Sequence, residues 1–395
     1  MNHAPDTRSG ALLPQPAGPG PAGPGKDGPG KDGPGRNGSG KDGPVPPDPA
    51  RLVPGLRIRF GPVRLRVARR PLAAGCGLAV ALLAVAVATL GTGDFQVSPA
   101  DVLKALAGQG TPATDYVVNS LRLPRLAVGV IVGAALGLSG AVFQSLARNP
   151  LGSPDLIGFE TGAATGALLQ ILVFGGGPFA VALGAVGGGF ATALTVYLLA
   201  YRRGVQGYRL IVVGIAAGAL LSSVNAYLMV EASIDEAQAA AVWLTGSLNG
   251  RGWDQFGPAA LAIGLLLPAV LLLGRHLRLM EAGDDAAKAL GVPVERSRAL
   301  LVVCAVLLSA VATASAGPIS FVALAAPQLA RRLGRAAGVS LLPSALMGAL
   351  LLCLSDLAAQ RVVAPIQLPV GIMTAAIGGL YLVWLLLHEW RSGRR

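Results

Sequence analysis

Apolar residues in this chain gather into ten runs separated by short polar or glycine-rich breaks: 72–91, 126–146, 158–174, 178–201, 210–230, 256–273, 299–316, 319–333, 341–360 and 369–387. A helix that crosses a bilayer needs about 20 mostly apolar residues, and every run except the short eighth comes near that length. The pattern predicts an all-α polytopic membrane domain over 71–390 with about ten transmembrane helices. An even number of spans puts both ends of the chain on one side. Residues 1–70 follow a different pattern. The stretch GPGKDGPGKDGPGRNGSGKDGP holds too much glycine and proline to bury a core, so 1–70 is predicted to be a disordered tail. Residues 391–395 form a short second tail.

Composition agrees with a membrane chain. Hydrophobic residues make up 53% and charged residues only 13%, about half the charge of a soluble domain. The net charge of +12 raises nucleic-acid binding, but the positions of Lys and Arg answer that. One set of connections holds Arg148, Arg202, Arg203, Arg209, Arg275, Arg278, Lys288, Arg296, Arg298, Arg331, Arg332 and Arg335, together with the arginines of both tails. The alternate connections hold only Lys104, Arg122, Arg125, Arg251 and Arg361. Positive charge stays cytoplasmic, so both termini are predicted to be cytoplasmic. Gly25, Gly30 and Lys31 imitate a phosphate-binding loop, but Asp32 stands where Mg²⁺ coordination needs Ser or Thr. ATP hydrolysis is therefore expected on separate subunits, and this chain is expected to be no enzyme. Cys76, Cys304 and Cys353 lie in apolar runs, and His3, His276 and His388 form no ligand spacing. No metal site and no cofactor are expected.

The polar break GDDAAKALGV lies between the sixth and seventh runs, on the cytoplasmic side by the charge count. Asp284 and Asp285 suit a helix start, and Gly291 suits a left-handed stop. The two turns between them are too short to stand alone in water and need a partner. Within the runs, Gly129, Gly133 and Gly137, Gly162 and Gly166, and Gly214 and Gly218 recur every four residues. That spacing allows close helix approach, though a chain rich in Ala and Gly also produces it. Intramembrane carboxylates are few: Glu160, placed near the headgroups, Glu231 at the edge of the fifth span, and Asp356, whose nearest partners in sequence are Arg361 and Gln360. Asp356 reads as a structural ion pair or cap, or as part of a proton relay. The relay reading keeps a proton-coupled secondary transporter open as a rival. A membrane enzyme would need a nucleophile–base pair, and none is visible.

Several segments together carry a resemblance: LRLPRLAVGVIVGAALGLSGAVFQSLARNPLGSPDLIGFETGA, the GDDAAKALGV break, AGPISFVALAAPQLARRL, LCLSDLAAQRVV and QLPVGIMTAAIGGLYLVWLL. From about Leu72 onward the chain resembles the membrane-spanning permeases of iron-siderophore and vitamin B12 ABC importers (the FecCD family), with the type II importer fold. The stretch WLTGSLNGRGW resembles the ferric-enterobactin-like branch; vitamin B12 or haem import is the alternative. The resemblance implies a second permease subunit in a homodimer or heterodimer, two ATP-binding subunits, an extracytoplasmic siderophore-binding lipoprotein, and a ferric-siderophore ligand passing through the cell membrane. It implies docking of the binding protein at Arg122, Arg125 and Arg361, where Arg suits bidentate carboxylate recognition. Pro124 is expected to hold Leu123 extended, so that the second span starts after it. The break becomes a coupling helix of about 283–291 facing an ATPase cleft, through Gly283, Asp284, Ala287, Leu290 and Gly291. The cytoplasmic gate falls at Gln206, Gly207 and Tyr208, and Ser222, Ser223 and Asn225 line the pathway. Gln144, Arg148, Asn149, Pro150, Gly317, Pro318, Pro327, Asp356, Pro369 and Gly371 are the structural motif positions. The chain departs from the family pattern at Ser320 and Ala323, where Gly is common, at Gln328, where His is common, and at Gly379-Leu380-Tyr381, where Ala-Pro-Phe is common.

Overall fold

A computed structural model describes residues 56–60, 63–67, 69–93, 95–155, 157–201, 207–336, 338–363 and 365–392. An antiparallel hairpin of β1 (Leu56–Phe60) and β2 (Val63–Val67) precedes α1 (Arg69–Gly91). Next come α2 (Pro99–Leu106) and α3 (Pro112–Asp115), then a π-helical stretch (Tyr116–Arg122) that runs into α4 (Leu123–Ala147). α5 (Phe159–Leu168) continues as a π-helical stretch (Leu169–Val173), followed by α6 (Pro178–Ala200), α7 (Gly207–Glu231), α8 (Ile234–Leu244) and α9 (Trp253–Glu281). The remainder is α10 (Asp284–Ala289), α11 (Val294–Ala316), α12 (Val322–Gly334), α13 (Leu341–Arg361) and α14 (Val370–Ser392).

Each of the ten apolar runs is helical. Among the described residues, 7 helices are long and apolar enough to cross a membrane. Two shorter apolar helices, Phe159–Val173 and Val370–Leu385, account for the third and tenth runs. The eighth run becomes α12, only 13 residues long. The hairpin lies inside the segment expected to be unstructured, and the Gly/Pro repeat with its phosphate-loop imitation lies outside the described residues.

The expectation for Leu123 is overturned: its φ and ψ are −62° and −45°, helical values. Pro124 has no N–H, and its ring would strike the carbonyl four residues back in an α-helix. The π-helical register just ahead widens that turn. The helix therefore runs unbroken from Pro112 to Ala147.

α4 is the axis of the bundle. It packs against α13, α11, α12 and α9, and its apolar side chains dominate the main core with those of α11. Small residues make this possible. A Cβ on Gly133 would lie 2.5 Å from the carbonyl oxygen of Gly348, so α4 and α13 touch backbone to backbone. α5 meets α6 in the same manner, through Gly162 and Gly166 against Gly184 and Gly188. In contrast, α7 leaves Val212, Ile215, Leu220, Val224, Tyr227 and Val230 exposed.

Candidate functional site

Polar contacts gather at the two ends of α4. At its start, Arg125 grips Asp356 of α13 with both arms: Nε to Oδ2 at 3.0 Å and Nη2 to Oδ1 at 2.8 Å. The side chains are only 12% and 5% exposed. Arg125 Nη1 donates to Gln367 at 3.0 Å and Asn249 at 3.4 Å, and Gln360 donates to Asp356 at 2.8 Å. The partner of Asp356 is thus Arg125, 231 residues away in sequence, and not Arg361. Arg122 donates to the carbonyls of Leu90 and Phe95. Arg122 and Arg125 line a cavity of about 470 Å³ together with Arg251, Asn249, Gln360 and Gln367. Sequence reasoning passed over Arg251; the available signal was its membership of the sparse set of basic residues. Arg361 is exposed and lines a separate pocket of about 780 Å³, against the end of α1. Pro369 directly precedes α14, and the Gly371 N–H in its first turn donates to the Gly246 carbonyl at 3.0 Å.

At the other end of α4, Arg148 takes a left-handed conformation at φ 49°. Its guanidinium donates to the Met280 carbonyl at 2.8 Å and to Asp284 at 2.7 Å. The second oxygen of Asp284 accepts from Arg298 of α11 at 2.7 Å. Burial pushes the Asp284 carboxyl up, but the hydrogen bond and charge of Arg298, joined by Arg148, outweigh it and hold the group below its ordinary value. Ser145 donates to Glu281 at 2.8 Å. Gln144 donates to the Leu324 carbonyl at 2.9 Å and accepts from Arg331 at 2.8 Å. The Asn149 side chain accepts from the Leu151 N–H at 2.9 Å, and the Pro150 carbonyl accepts from Gln328 at 2.8 Å. The Gln328 carbonyl oxygen in turn accepts from Tyr381 at 3.3 Å. Two of the departures from the family pattern therefore touch each other.

The polar break forms α10, 6 residues long, between Gly283 at φ 123° and Gly291 at φ 80°. Its packing partner on one side is the chain itself. Ala287 is 0% exposed and belongs to the main core, so it cannot face another subunit. Leu290, at 67% exposed, and Asp285 face outward.

Between these ends, α11 stops at Gly317 (φ 78°), and α12 starts after Phe321, a non-glycine residue at φ 69°. The N–H groups freed at this break need acceptors. Glu160 accepts from the Ile319 N–H at 2.7 Å, and Asp155 accepts from the Phe321 N–H at 3.3 Å. Glu160 is buried. Pro318 lines the small pocket beside this pair, and Pro327 is buried inside α12.

Gly207 and Tyr208 open α7, with Tyr208 exposed; Gln206 lies outside the described residues. Ser222 is exposed, Ser223 bonds back to the Ala219 carbonyl at 3.2 Å, and Asn225 holds a buried side-chain oxygen without a protein partner. Among the described residues no group of His, Cys, Asp and Glu is arranged to hold a metal.

The profile of the FecCD transport family matches residues 81–388. The chain is 48% identical to the ferric enterobactin transport system permease protein FepG of Escherichia coli, over 82% of this chain and 99% of that protein. It is 37% identical to the Fe(3+)-citrate import system permease protein YfmE of Bacillus subtilis, over 83% of this chain and 98% of that protein. Among solved structures, a metal-chelate type ABC transporter in an inward-facing conformation matches with a TM-score of 0.72 and 30% identity, covering 80% of this chain and 99% of that one.

Proposed function

The chain belongs to the FecCD transport family, and on that footing we propose that it forms the pathway for a ferric siderophore in an ATP-driven importer. The near-complete alignment with FepG at 48% identity carries the choice of cargo: a ferric chelate of the enterobactin type. A second permease subunit faces α7, whose apolar side chains are otherwise exposed, and Ser222, Ser223 and Asn225 line the passage. Two cytoplasmic ATPases grip α10 by its outward side, at Asp285 and Leu290. An extracytoplasmic binding protein docks at Arg361 and at the pocket around Arg122, Arg125 and Arg251, with both termini on the opposite, cytoplasmic side.

The mechanism needs no bond chemistry from this chain. ATP-driven closure of the ATPases moves α10. Through Asp284, each α10 is tied to α4 and α11, so its displacement moves helices rather than a loop. Such a change requires contacts that differ between two states, which an exposed Leu290 seated in a moving cleft supplies. The decisive measurement is uptake of radiolabelled ferric enterobactin by cells whose own permease pair has been deleted and which carry this chain with its neighbouring transport genes. ATP-dependent uptake supports the reading; growth restored only by cobalamin or haem overturns the cargo.

A further inference from the structure

Three arginines line the cavity at the start of α4, and among the described residues no acidic side chain does. Two of the three are already spent. Arg125 is locked onto Asp356, and Arg122 donates to the Leu90 and Phe95 carbonyls. Arg251 differs. Its Nε donates to the Ser247 carbonyl at 3.3 Å, and among the described residues its two Nη groups have no partner. Burial alone pushes this guanidinium down, with no carboxylate to offset it. A cation withdrawn from water without a counter-ion is costly. The neighbouring amides add donors. Arg125 Nη1 holds the side-chain oxygens of Asn249 and Gln367. A guanidinium accepts nothing, so both amides turn their oxygens to Arg125 and keep their NH2 groups for another acceptor, and both residues line the cavity. The loop that carries Asn249 and Arg251, between α8 and α9, is held firmly. The Ser247 N–H donates to the Ala316 carbonyl at 2.7 Å and the Arg251 N–H to the Leu248 carbonyl at 3.2 Å, and Leu248 is buried in the main core.

On the footing of the import reading, we propose that Arg251 and the amide groups of Asn249 and Gln367 form a carboxylate-binding site, which receives an acidic side chain of the extracytoplasmic binding protein. Arg251 is the contact. Arg125 is a positioning residue: it turns the two amides and leaves its own charge on Asp356. Charge complementarity carries the choice of occupant. The planar fork of the Arg251 Nη groups matches the two oxygens of a carboxylate, and the amides satisfy lone pairs that the fork leaves over. The ferric chelate is disfavoured as occupant, because no residue of α7, where the passage is placed, lines the cavity. Since the loop and the amides are already held, little ordering is needed when the carboxylate arrives.

The test follows, at low and high salt, the binding of the extracytoplasmic protein from the neighbouring transport genes to the assembled transporter in nanodiscs. Arg251→Gln should weaken binding by about tenfold or more and flatten the salt dependence of the association rate. Arg125→Gln with Asp356→Asn removes no net charge and should weaken binding with the salt dependence kept. For Arg251→Glu, a scan that replaces surface Asp and Glu of the binding protein by Lys should find one position that restores binding, which a mere folding defect at 251 would not allow. Full affinity with unchanged salt dependence in Arg251→Gln overturns the proposal and leaves the import reading standing. So does a flattened salt dependence in the Arg125 double variant but not in Arg251→Gln, which would make Arg125 the contact. An unaltered transporter that binds no such protein removes the import reading and the proposal together.

Discussion

Arg125 spends its fork on Asp356, and this fixes what either residue can do. Both side chains are almost fully buried, so removing one leaves a charge without a counter-ion in a poorly solvated place. Asp356→Asn is expected to lower stability by about 3–5 kcal/mol, measured as thermal unfolding of the detergent-solubilised chain. Asp356→Asn combined with Arg125→Gln should recover a large part of that loss, since the pair disappears together. Asp284 behaves differently because it is partly exposed. Its carboxyl is held below the ordinary value, so its contribution is present above the unfolded-state value and is lost as pH falls through the folded one. Hydrogen-exchange protection of residues 283–291 should therefore be flat from neutrality to about pH 4 and fall below it. A midpoint near neutrality would contradict the double arginine contact. Neither partnership was legible in the sequence. Arg125 and Asp356 stand 231 positions apart, and periodicity carries no information about which helices become neighbours.

At the scale of elements, α10 was readable as a short capped helix, because paired Asp and terminal Gly report local backbone physics. Its facing was not readable. Ala286, Ala287 and Ala289 look alike in sequence, yet Ala287 alone is closed into the core. The two sides of α10 should separate experimentally. Leu290→Glu leaves the packing untouched and is expected to cut uptake at least tenfold while ATP hydrolysis by the assembled transporter continues. Ala287→Arg forces a charge into a closed site and should lower expression of folded chain instead. Comparable folded yield with coupled transport in both would make α10 a plain connector. The π-helical entry to α4 was also illegible: the rule that a residue before proline avoids the helix is a tendency, and a widened turn escapes it.

At the scale of the whole molecule, hydropathy located the helices of the ten apolar runs, because burial in lipid imposes length and composition on each span separately; it missed the short α2, α3 and α8, which lie between the runs. The alternation of basic connections then predicts sidedness. Reporters fused to the two ends are expected to be accessible from the same, cytoplasmic face, and a label at Arg251→Cys from the opposite face. Accessibility of all three from one face would overturn the ten-span reading. The packing of these spans leaves α4 in an unusual mechanical position. It is 25 residues long, about 37 Å, and an arginine bolts it to a carboxylate at each tip, Asp356 at one and Asp284 at the other. A rod tied at both tips and crowded along its length is expected to pivot or spin as one piece more readily than it bends. A small nudge at one end is then expected to arrive at the other as a swing of the opposite tip, so that the reach of a single stiff helix stands in for a relay of many small adjustments.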